Sequence, residues 1–84
     1  MSTVYISVVE INKLQTDIMK YVDVWVHTEK GPIPQRQIIL KMKSDGVLEC
    51  TTVNALNALL RKGYLRRAYT ISNRTFYVAL RRVA

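Results

Sequence analysis

The chain has 84 residues, enough for one compact domain with a modest core. Its hydrophobic fraction of 49% argues against disorder, and no apolar run approaches the roughly 20 residues needed to cross a bilayer. Thirteen Lys and Arg against six acids give a net charge of +7, which favours a polyanionic partner: nucleic acid first, an acidic membrane or protein second.

The expected organisation is a single domain over residues 1–84, with 1–9 an N-terminal arm or dimerisation segment. Residues 3–7 read equally as a short strand or a loose arm. The first helix is expected from about Ser7 to Thr28. Ser7 with Glu10 has capping-box spacing, and Asn12 with Gln15 offers a second, later start. Ile11, Leu14, Ile18, Val22 and Trp25 fall on a helical stripe, which Val24 and Val26 broaden. Gly31 suits a left-handed cap, and Pro32 cannot continue the helix.

A shorter second helix opens with Pro34 in its first turn. Ile38, Ile39 and Met42 share one side of it, whereas Leu40 points elsewhere. Ser44 to Gly46 stops it. The third helix is expected over Thr51 to Lys62, capped by Thr51 or Thr52. Its inward stripe is Val53, Leu56 and Leu60 with Leu59 at the edge, and Asn54, Ala58, Arg61 and Lys62 point outward. Gly63 ends it. Two strands follow, one on each side of a Ser72–Asn73 turn, as a hairpin. Charge is polarised along the chain: from Arg61 to Ala84 there are seven basic residues and no acid.

The run Thr52-Val53, Leu56, Leu59, Lys62-Gly63, Tyr64-Leu65, Arg66-Arg67 resembles the winged helix-turn-helix family, over about Leu14 to Arg82. The resemblance implies an α+β fold: three helices followed by a C-terminal β-hairpin wing, with Ile33 paired in a short linking strand. The turn from Gly46 to Val53, holding Leu48, Glu49 and Cys50, is longer than that family's usual one. The resemblance also implies that the third helix enters the major groove of DNA and that the wing lies on backbone or minor groove. A helix facing bases wants hydrogen-bonding and small side chains, here Thr51, Thr52, Asn54, Asn57, Ala55 and Ala58, with Arg61 and Lys62 at its end. A wing facing phosphates wants cations, here Arg66, Arg67 and Arg74, with Arg74 nearest the tip.

Each feature has a plainer reading. Strand alternation lets only one of Arg66 and Arg67 face nucleic acid, and likewise one of Arg81 and Arg82. The others are solvated edge positions. Asn57, near the edge of the buried stripe, fits a half-buried structural amide as well as a base contact. Tyr69, Phe76 and Tyr77 read as cross-strand hairpin pairs before stacking platforms. His27 with Asp23 four residues earlier makes no triad, and one Cys and one His make no metal site, so no enzyme, cofactor or metal is expected. The expectation is a small transcriptional regulator that binds double-stranded DNA and forms a homodimer through its first helix, with Val8, Val9 and Trp25 at the interface. No membrane and no small-molecule effector enter. The lone Cys50 and the absence of a leader sequence point to the cytoplasm, or to the host cytoplasm for a viral chain. The alternative is a winged-helix protein-interaction module in a larger nucleic-acid-processing assembly.

Overall fold

A computed structural model describes residues 11–81. The elements are α1 (Lys13–Glu29), β1 (Ile33–Pro34), α2 (Gln35–Ser44), α3 (Glu49–Arg61), β2 (Leu65–Ile71) and β3 (Arg74–Ala79). The architecture is α+β, with three helices and one antiparallel sheet in the order β1-β3-β2. The expected arm over 1–9, the Ser7–Glu10 capping box and the interface residues Val8 and Val9 lie outside the described residues, as does Arg82.

The later start of α1 is the one adopted. The Gln15 N–H donates to Asn12 Oδ1 (2.8 Å) and the Asn12 N–H donates to Gln15 Oε1 (3.3 Å), a reciprocal capping box. Ile18, Met19 and Val22 carry the buried stripe, and Leu14 and Trp25 are half-buried beside it. Val24 does not broaden the stripe but is exposed. The left-handed residue that ends α1 is Lys30 (φ 61°), not Gly31, and its N–H donates to the Val26 carbonyl. The turn therefore closes one residue earlier than the glycine suggests.

The other two helices end by the same device. Gly46 (φ 88°) and Gly63 (φ 78°) are left-handed. Val47 N–H donates to the Met42 carbonyl and Tyr64 N–H to the Leu59 carbonyl, while each glycine N–H reaches the carbonyl three residues back. These are Schellman motifs, in which the residue after the glycine folds onto the last buried turn. Met42 and Leu59 are buried, so each reversal also closes the core.

That core joins Ile18, Met19 and Val22 of α1, Ile33 of β1, Ile38 and Met42 of α2, Leu56 and Leu59 of α3, and Leu65 and Tyr77 of the hairpin. Ile33 pairs with Tyr77, and Arg67 sits opposite Tyr77 on the other side. Residues directly opposite share a face. The face bearing Ile33, Leu65 and Tyr77 is thus turned to the helices, and the face bearing Arg66, Phe76 and Val78 is turned away. The register shifts between Arg67 and Tyr69, with Ala68 as the extra residue of a β-bulge. Both turn residues, Ser72 and Asn73, have positive φ (52° and 63°), as a tight hairpin whose twist matches its strands requires.

Candidate nucleic-acid interface

The third helix is longer at its start than the sequence suggests and is rotated about its axis. It begins at Glu49, with Leu48 at the cap position and no side-chain cap bond, so Leu48, Glu49 and Cys50 are not extra loop. Its buried residues are Thr52, Ala55, Leu56 and Leu59, while Val53 and Leu60 are only half-buried. Two residues expected to face DNA are therefore inside. Thr52 is 0% exposed, and its hydroxyl donates to the Leu48 carbonyl (3.2 Å), satisfying a polar group that would otherwise be costly to bury. Ala55 is buried beside it, and its small side chain allows α3 to pack closely on the core.

The opposite side of the helix is polar. Cys50, Asn54, Asn57 and Arg61 recur at helical spacing and are all exposed, with Thr51 exposed and Ala58 half-buried at one flank. Asn57 thus belongs to the solvent face and is not a half-buried structural amide. Cys50 belongs to the same stripe and was not anticipated there. Its position becomes legible only once the inward direction is centred on Leu59. Lys62 is diverted: half-buried, it donates from Nζ to Gln15 Oε1 (2.9 Å), tying the end of α3 to the start of α1. An ammonium engaged in this way is a poor candidate for a phosphate.

In the hairpin, Arg66, Arg67 and Arg74 are all exposed. Alternation divides the adjacent pair, with Arg66 on the face away from the helices and Arg67 on the Tyr77 side. Arg66 Nη1 reaches the Arg67 carbonyl only at 3.5 Å. Arg74 directly follows the turn, opposite Ile71. Arg81 lies over the Tyr64 ring, 5.3 Å from its centroid, a cation–π contact that ties the end of the hairpin to the α3–β2 junction. Tyr69 and Phe76 form a cross-strand aromatic pair with centroids 4.8 Å apart. Tyr77 is buried at the root, where desolvation holds its phenol above the ordinary range and the Arg67 guanidinium acts against that rise.

His27 and Asp23 meet on α1, as their spacing requires. His27 Nδ1 lies 2.8 Å from the Asp23 carbonyl oxygen and 3.7 Å from its carboxylate, and the pair is exposed. Among the described residues no group of three or more His, Cys, Asp or Glu is placed to hold a metal ion, and no helix is long and apolar enough to cross a membrane. The arrangement can present amides and cations to a polyanion. No protein-family model, curated protein or solved structure matches the chain.

Proposed function

We propose that the chain is a winged-helix protein that binds double-stranded DNA sequence-specifically, as a small transcriptional regulator acting in the cytoplasm or host cytoplasm. The observation that carries this reading is the outward stripe of α3, where Asn54, Asn57 and Arg61 stand exposed directly opposite the buried stripe. Amides and a guanidinium so spaced match adenine and guanine edges in a major groove. Arg66 and Arg74 on the wing supply phosphate or minor-groove contacts. The surface proposed here is Thr51, Asn54, Asn57, Ala58, Arg61, Arg66, Arg67 and Arg74, without the buried Thr52 and Ala55 or the engaged Lys62. A homodimer through α1 would double the bases contacted, and the exposed Val24 is consistent with such an interface.

Selection of duplexes from a random pool, followed by two substitutions, tests the reading. Asn54→Ala should cost about 1–3 kcal/mol on the selected site and much less on random DNA. Arg74→Ala should weaken both by a similar factor and lower the salt slope by about one unit. Equal losses on both DNAs for both variants would show that α3 does not read sequence. Leu48, 70% exposed just before α3, favours the second reading, a protein-interaction module within a nucleic-acid-processing assembly. Unchanged DNA binding in both variants would support it.

A further inference from the structure

The sheet has an opening that α3 does not explain. β1 stops opposite Phe76, so among the described residues the edge of β3 facing away from β2 has no strand beside it from Arg74 to Thr75. Between that edge and α2 runs a groove of about 540 Å³. Three cations line it, Arg36 and Lys43 from α2 and Arg74 from the hairpin, and none of them has an ion-pair partner among the described residues. The acid lining it is Glu49. Phe76 forms part of the wall, and its cross-strand partner Tyr69, 43% exposed, extends the aromatic surface onto the outer face of the sheet.

We propose that this groove and the Tyr69–Phe76 surface bind an unpaired strand of DNA. Its phosphates would lie along Arg36, Lys43 and Arg74, and its bases would stack on the two rings. Cations at a concave track attract any polyanion, but the rings select among them. In a duplex the faces of the bases are already stacked on one another, whereas an unpaired base offers a free face to an aromatic side chain. An acidic peptide satisfies the cations and has no use for the rings. Arg74 is shared with the surface assigned to duplex DNA, whereas Arg36, Lys43 and Tyr69 lie outside it, and these three separate single-strand binding from duplex reading.

The test uses the full chain and a fluorescent oligothymidylate of about 12 nucleotides, followed by anisotropy at low salt. Tyr69→Leu should lower its affinity at least about fivefold, while Tyr69→Phe, which keeps the ring, should retain it. Arg36→Ala should weaken it and reduce the salt slope by about 0.7, the value for one phosphate contact on a single strand. Glu49→Gln should strengthen it. On duplex DNA, Tyr69→Leu and Arg36→Ala should bind as the parent does. Three results would each overturn the proposal. The first is parental oligothymidylate binding in both Tyr69→Leu and Arg36→Ala, and the second is equal losses on duplex and single strand. The third is displacement of the probe by oligoglutamate as effectively as by unlabelled oligothymidylate.

Discussion

The outer side of α3 and the far half of the hairpin are both exposed, yet they are held in different ways. The α3 stripe sits on a helix whose opposite side is locked by Thr52, Ala55, Leu56 and Leu59 and whose C-terminal end is tied by the Lys62–Gln15 bond and the Schellman turn. The hairpin is anchored at its root, by Leu65, Tyr77, the pairing with β1 and the Arg81–Tyr64 contact; beyond Arg67 every β2 residue except the half-buried Ala68 is exposed. A side chain on α3 therefore has a position fixed by the core, and one at the hairpin tip has a position fixed by the neighbouring strand alone. The first arrangement suits contacts that depend on exact hydrogen-bond geometry. The second suits contacts with a charge that is the same at every step of a backbone.

The strongest way to break this comparison is to cut an apolar side chain in each region. Leu59→Ala should destabilise by about 2–5 kcal/mol in urea melts, because it leaves a cavity at a fully buried site. Ile71→Ala, at a position 57% exposed in the hairpin, should change stability by less than about 0.5 kcal/mol. A large loss for Ile71→Ala would mean that a second copy or another partner covers the tip in solution.

A smaller effect sharpens the account of the junction between the two regions. Gly63→Ala should cost about 1–2 kcal/mol in thermal denaturation, since its left-handed backbone is strained for any residue with a Cβ. A Cβ built there meets nothing within 4 Å, so the loss comes from backbone conformation and not from a clash. A neutral outcome would mean that the junction adjusts and that the hairpin is free to swing about it.

The smallest expected effect lies at the root. Burial raises the Tyr77 phenol in the folded state above its unfolded value near 10. The folded state thus holds the proton more tightly. The resulting stability is present below the unfolded value and is lost as pH rises through the folded one. Melting temperatures above about pH 10 should fall more steeply for the parent than for Tyr77→Phe. Equal slopes would place the Tyr77 hydroxyl in water and loosen the anchor it gives β3.

The helices and the hairpin were legible because their signals are local. Ile18 and Val22, Ile38 and Met42, and Leu56 recur at helical spacing, and Ser72–Asn73 sits where a tight turn must. The rotation of α3 was not legible, for a physical reason. Val53, Leu56, Leu59 and Leu60 are compatible with more than one inward direction, and the choice depends on which of them meets α1 and the sheet. Burial of Thr52 and Ala55 follows from that choice, and a hydroxyl bonded to its own helix carries no hydrophobic signal. Lys62 reads as a surface cation until the fold brings Gln15 beside it, 47 positions away in the chain. The α2–hairpin groove likewise exists only in three dimensions, beside a two-residue β1 that, among the described residues, leaves part of the β3 edge unpaired.

The bulge at Ala68 gives the hairpin a property that side-chain chemistry alone would not. Tyr69 already pairs with Phe76 and Arg67 with Tyr77, so removing Ala68 would leave every cross-strand partner unchanged. The ladder would become regular, and the extra right-handed twist and bend that a bulge adds would be lost. Ala68 is thus a steering residue: it changes the heading of Arg74 and the aromatic pair without recoding them. A lineage carrying this fold could redirect its hairpin toward a differently shaped target by gaining or losing a single codon, and a deletion of Ala68 that keeps stability while altering target preference would display that freedom directly.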